Sequence, residues 1–183
     1  EKAPVLAVWD GALGFHAACE EVWPKTRIQR CWFHKTGNVL DKLPKSIHSK
    51  AKDMLRNQYL APTREDALKA YDLFVASFCE KYPRAVECLT KDKEELFAFY
   101  DFPAAHWIHL RTTNPIESTF ATVRLRHRRT KGSGTRKATL AMVYKLCQEA
   151  ANGWRKLDGF KLIPLVEKGV KFVNGERVNG NVA

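Results

Sequence analysis

Val5-Leu6-Ala7-Val8-Trp9-Asp10-Gly11, then Leu13 to Trp23, Pro24, and Arg27-Ile28-Gln29-Arg30-Cys31-Trp32, is the stretch that decides the fold class. Val5 to Trp9 is a short apolar run stopped by a carboxylate and a turn residue, the pattern of a buried strand. Leu13, Ala17, Ala18 and Val22 recur at helical spacing, and Pro24 closes that helix. Arg27 to Trp32 reads as a second strand. A helix between two strands favours parallel pairing, because antiparallel neighbours need only a tight turn. Asp10 then stands at the carboxyl end of a buried strand, where α/β sheets gather their functional groups.

Beyond residue 33 the character changes. From Asn38 to about Phe102 the chain is rich in Leu, Ala, Lys and Glu with almost no strand signal, which predicts a run of helices. Thr63 with Asp66 resembles a capping arrangement for a long helix carrying Tyr71, Phe74, Val75 and Phe78 and closed near Pro83. Asp92 opens another with Leu96, Phe97 and Tyr100 on its inner side. These aromatics at helical spacing read as core and not as a base-stacking platform. In Asn114-Pro115-Ile116-Glu117, Asn is at a cap position, Pro at the first helical position and Glu at the third. Ile116, Phe120 and Val123 form the apolar stripe of that helix. A last helix from Lys137 to Trp154 sets Leu140, Val143, Tyr144, Cys147 and Ala151 on one face. The tail after Gly169, with Asn174-Gly175, predicts a hairpin or fraying.

Composition narrows the function classes. The 183 residues are 45% hydrophobic and 11% aromatic, enough for a substantial core, so a disordered tail is excluded. No apolar run approaches the roughly 18 residues of a membrane span, and no signal peptide opens the chain. The first residue is Glu1, not Met, and a segment is expected upstream. Five scattered cysteines point to a reducing, cytoplasmic compartment. The net charge of +11 is concentrated: Arg124, Arg126, Arg128, Arg129, Lys131, Arg136 and Lys137 fall within fourteen residues that contain no acid. Five of those seven are Arg, whose planar fork suits phosphate. A solvated helix end followed by the Gly132-Ser133-Gly134 loop is the alternative.

Two carboxylates stand where carboxylates are useful. Glu117 lies in the first turn of a helix whose next polar positions on that side are Arg124 and Arg128, roughly 10 and 16 Å along the axis. An acid that binds metal, with a phosphate track leading away, has this layout. From residue types alone, Asp10-Gly11 also fits a simple turn, and Glu117 also fits a capping-box acid favoured by the helix dipole. Cys31-Trp32-Phe33-His34 is half of a zinc spacing and no more.

Val8-Trp9-Asp10-Gly11 with Gly14, Trp23-Pro24, Gln29-Arg30-Cys31-Trp32-Phe33-His34, Asn38-Val39-Leu40 and Arg111-Thr112-Thr113-Asn114-Pro115-Ile116-Glu117-Ser118 closely resemble the Mutator-like bacterial insertion-sequence transposases. The match continues to Gly169-x-x-Phe172. The resemblance implies a helix-rich α/β fold: a partial ribonuclease-H-like core interrupted by an all-helical insertion. Core would occupy residues 1–37, the insertion 38–110, the rest of the core with the catalytic Glu helix 111–168, and a tail 169–183. It implies an Asp-Asp-Glu triad with Asp10 as second acid and Glu117 as third, the first Asp lying upstream beside a helical DNA-binding region. The fragment alone would then be inactive. Cys31 and His34 match a family signature, with a role in supporting the core or contacting DNA and not in binding zinc. The chemistry implied is metal-dependent cleavage and transfer of DNA strands, with two Mg2+ or Mn2+ ions held by Asp10 and Glu117. Expected partners are double-stranded DNA, gripped by the 124–137 cations, and further copies of the chain, with no membrane. A DNA-binding remnant without catalysis and another ribonuclease-H-like nuclease are the competing readings.

Overall fold

The computed structural model describes residues 2–132 and 134–178; Ser133 of the glycine loop and the last five residues of the tail lie outside the described residues. It is helix-rich α/β. Strand β1 (Leu6–Trp9), helix α1 (Leu13–Val22) and strand β2 (Arg27–Arg30) form the expected unit, and the strands pair in parallel with Leu6 opposite Arg27 and Trp9 opposite Arg30. The second strand is two residues shorter than the sequence suggests. The Cys31 amide still donates to the Trp9 carbonyl at 2.8 Å, but the Trp32 amide turns away to the Arg111 carbonyl. The Cys31 carbonyl then accepts the Lys35 amide and opens helix α2 (Trp32–Leu40), so His34 is helical.

Helices α3 (His48–Leu60), α4 (Arg64–Phe78) and α5 (Pro83–Thr90) build the predicted helical tract. Thr63 caps α4 as expected: its Oγ accepts the Asp66 amide at 3.1 Å and its hydroxyl donates to the Asp66 carboxylate at 2.7 Å. Pro83 opens α5 instead of closing α4, which ends five residues earlier because Pro suits a first turn whose amide has no partner anyway. The helix expected from Asp92 is a single turn, α6 (Lys93–Leu96), followed by 3-10 turns at Ala98–Asp101 and Ala104–His106. Its continuation is diverted by side chains of the strand unit. The Leu96 carbonyl accepts from Trp32 Nε1 at 2.8 Å and Gln29 Nε2 at 3.1 Å, while Gln29 Oε1 takes the Phe99 amide.

Trp32, Val39, Leu55, Phe74, Phe97 and Tyr100 are among the fully buried side chains of one continuous core. The predicted aromatics are therefore core. Tyr100 donates its hydroxyl to the Ala61 carbonyl at 2.8 Å, and burial pushes the phenol up to about 12. After α7 (Trp107–Leu110) the chain enters α8 (Asn114–Arg129) and α9 (Arg136–Asn152), then returns through a short α10 (Ile163–Glu167). The tail is a hairpin, β3 (Phe172–Val173) against β4 (Glu176–Arg177). Asn174 and Gly175 both take positive φ, 50° and 83°, as a tight Asn-Gly hairpin turn requires.

The described residues form two compact units: Thr113–Leu157 is one, and the segments on either side of it together make the other. The larger unit contains the core cluster. In the smaller, α8 and α9 pack on each other, and the expected apolar stripe is buried only at Val123, with Ile116 and Phe120 57% and 42% exposed. Leu140 and Tyr144 on α9 are exposed as well. No helix among the described residues is long and apolar enough to cross a membrane.

Candidate active site

Asp10 follows the last residue of β1 and is exposed, whereas Trp9 beside it is buried. The strand delivers the carboxylate to the carboxyl edge of the ribbon. Its Oδ1 accepts the Ala12 amide at 2.9 Å, which fixes the side chain and leaves the second oxygen as a further ligand atom. The turn continues through Gly11 at φ 106°, a conformation that other residues rarely adopt.

Elements distant in sequence hold this corner. Trp9 Nε1 donates to Glu95 Oε2 at 2.9 Å, and the His16 ring lies 4.8 Å from the indole with its Nε2 3.5 Å from Glu95 Oε1. Below the turn lies Arg30, whose side chain is 3% exposed. Its Nε donates to Asp92 Oδ2 at 3.1 Å, its Nη1 donates to the Trp9 carbonyl at 3.3 Å, and its guanidinium sits 5.2 Å from the centre of the indole. Lys35, wholly buried, shares Asp92 and donates to the Cys88 carbonyl at 2.7 Å. Burial holds the Lys35 ammonium below its ordinary range, against the opposing pull of Asp92. Sequence reasoning missed this network. Gln29 and Arg30 are the buried residues of β2, whose Arg27 is exposed and Ile28 half-buried, and their place next to Cys31 and Trp32 at the end of a short strand was the signal, since buried polar groups require partners.

Glu117 lies in the first turn of α8. The helix starts one residue earlier than the sequence suggests: the Thr113 carbonyl accepts the amides of Ile116 and Glu117, so Thr113 and not Asn114 is the cap. The Thr113 hydroxyl donates to Glu117 Oε1, orienting the carboxylate from its own helix. Asp10 belongs to the larger unit and Glu117 to the smaller.

Cys31 is fully buried at the start of α2, and His34, one turn on, lies edge-on to Phe33 with ring centres 5.5 Å apart. Among the described residues no group of three or more His, Cys, Asp or Glu side chains is placed to hold a metal ion. Hard divalent cations nevertheless suit the oxygen donors of Asp10 and Glu117, whose carboxylates accept from the Ala12 amide and the Thr113 hydroxyl.

Arg124, Arg126, Arg128 and Arg129 occupy the last turns of α8, Lys131 lies in the connection, and Arg136 and Lys137 begin α9; all seven are exposed. Cations at the end of α8 are favoured by its dipole. Arg124 and Arg128, one turn apart, border an apolar notch formed by Val123, Met142 and Val143.

Residues 2–157 match the family model described as transposase, Mutator family. The chain is 50% identical over 179 residues to the transposase for insertion sequence element IST2 of Acidithiobacillus ferrooxidans, an alignment covering 98% of this chain and 60% of that protein. It is 54% identical over 173 residues to the transposase for insertion sequence element IS6120 of Mycolicibacterium smegmatis, covering 94% of this chain and 54% of the relative. The chain thus spans little more than half the length of these relatives. A family match across most of the chain, with relatives at half identity, establishes that the chain belongs to the Mutator family of transposases.

Proposed function

We propose that this chain supplies two of the three acids of a DNA transposase that cleaves transposon ends and transfers them to target DNA, within a ribonuclease-H-like core. The observation that carries the reading is Asp10: an exposed carboxylate at the carboxyl end of a parallel strand, its rotamer fixed by the Ala12 amide, in a chain of this family. Glu117, oriented by the Thr113 hydroxyl, is the second acid of the chain and the third of the triad.

Asp10 and Glu117 would hold the divalent ions, Mg2+ or Mn2+. Two such ions, when bound, activate the attacking oxygen and stabilise the leaving oxygen of a phosphodiester. The residues of the chain do the rest. Each carboxylate supplies hard oxygen ligands and is oriented within its own unit by a hydrogen bond. The exposed cations from Arg124 to Lys137 neutralise phosphates and supply affinity without reading sequence. The active protein is a homo-oligomer on double-stranded DNA, with the first Asp in a segment outside this chain.

In the full-length transposase, Asp10→Asn and Glu117→Gln are each expected to lower metal-dependent cleavage of end-bearing DNA by at least about a thousandfold while leaving DNA affinity within about twofold, because the cations and not the acids supply binding. Cleavage retained in either variant refutes the assignment.

A further inference from the structure

The Arg30 guanidinium brackets Asp10 along the backbone. Nη1 donates to the Trp9 carbonyl, which belongs to the peptide leading into Asp10, and that same carbonyl accepts the Cys31 amide at 2.8 Å. On the other side, a Cβ added at Gly11 would fall 2.3 Å from Arg30 Nη2 and 2.7 Å from Cζ. Only a residue without a side chain lets the turn settle this close to the guanidinium. The peptide before Asp10 is therefore hydrogen-bonded to Arg30, and the residue after it rests on Arg30.

Arg30 is itself held from the helical tract. Asp92 immediately precedes α6 and takes Arg30 Nε, while Lys35 on α2 approaches the same carboxylate oxygen. Two buried cations share one carboxylate that is 15% exposed, and an ion-paired side chain so enclosed has few alternative rotamers. The Trp9 indole, anchored at its far end by Glu95 of α6, covers the guanidinium face. Asp92 and Glu95 thus connect one turn of the helical tract to both walls of the Asp10 corner.

We propose that Arg30, locked by Asp92, is a positioning residue that sets the Asp10 carboxylate for metal binding, and that the helical tract acts on the catalytic corner through this pair. The proposal rests on Asp10 being a metal ligand. Lysine at position 30 keeps the charge but lacks the planar fork that reaches Asp92 and the Trp9 carbonyl together, so it does not substitute.

The test is a titration of the full-length transposase with Mn2+ alone, read as paramagnetic broadening of the Gly11 and Ala12 amide resonances, in the wild type, Arg30→Lys, Asp92→Asn and Asp10→Asn. Thermal unfolding is followed in parallel. Loss of outer-shell support for a ligand typically costs 10–100-fold in metal affinity, so Arg30→Lys and Asp92→Asn are each expected to need about tenfold more Mn2+ for half-broadening. A purely structural role would lower the unfolding temperature and leave the Mn2+ midpoint of the folded chain unchanged. Wild-type midpoints in both folded variants overturn the proposal while leaving Asp10 as a ligand. Should one variant fail to fold, the other decides. Broadening that is absent from residues 10–12 in the wild type, or unaltered in Asp10→Asn, overturns the assignment of Asp10 itself and the positioning role with it.

Discussion

Asp10 and Tyr100 show how differently one side chain can be spent, the first exposed and oriented by a single amide, the second enclosed and hydrogen-bonded to backbone. The buried phenol has a pH consequence. Its folded-state value, about 12, lies above the unfolded value near 10, so between these the unfolded chain releases a proton that the folded chain keeps. Stability contributed by Tyr100 is full below pH 10 and is lost as pH rises toward 12. A two-unit shift corresponds to a loss of at most about 2 to 3 kcal/mol. Tyr71, also raised by burial, acts in the same direction, whereas Lys35, lowered by burial, favours the folded state as pH climbs toward its unfolded value. Urea unfolding from pH 9 to 12 should therefore show a decline above pH 10 that is shallower in Tyr100→Phe. An identical decline in that variant would mean that the phenol is not shielded.

The helices divide between those that make the core and those that carry charge. In α4, Tyr71, Phe74 and Phe78 are buried and the cap at Thr63 is satisfied, so removing a core aromatic would cost about 3–5 kcal/mol. The cationic end of α8, the connection after it and the start of α9 bury none of their seven cations. If six or seven of these neutralise phosphates, the log-log salt dependence of DNA binding should have a slope of roughly -5 to -6, a loss of about a thousandfold between 50 and 200 mM salt. Replacing Arg124, Arg126, Arg128 and Arg129 with Ala should flatten that slope by about 3 to 4, and an unchanged slope would place the DNA surface elsewhere. The boundaries of these elements show what sequence carries. Periodicity and Thr63 announce α4, and Asn174-Gly175 announces the hairpin, because both signals are local. The early end of β2 and the single turn of α6 were not legible. Both depend on groups sixty and more residues away: the Arg111 carbonyl draws the Trp32 amide out of the ladder, and Gln29 and Trp32 occupy the Leu96 carbonyl.

Across the chain, burial is unequal. The cluster of buried aromatic and aliphatic residues lies wholly in the larger unit, while Val123 is the one buried side chain among the described residues of the smaller. Ile116, Phe120, Leu140 and Tyr144 on α8 and α9 are exposed. The family is legible in sequence because its motifs are short and ordered, and Asp10 is legible because a strand that ends in Asp-Gly announces itself. The support beneath Asp10 is not, since Arg30 and Asp92 lie 62 positions apart and meet only once the intervening helical tract has folded. The proposed chemistry requires that Asp10 and Glu117 each ligate a divalent ion in the full-length transposase. Anomalous scattering from crystals of the full-length transposase grown with Mn2+ measures this without an activity assay. Anomalous peaks are expected about 2.2 Å from a carboxylate oxygen of Asp10 and about 2.2 Å from one of Glu117. A peak ligated by other residues, or by Asp10 with Glu117 outside the coordination sphere of every bound ion, would contradict the proposed chemistry.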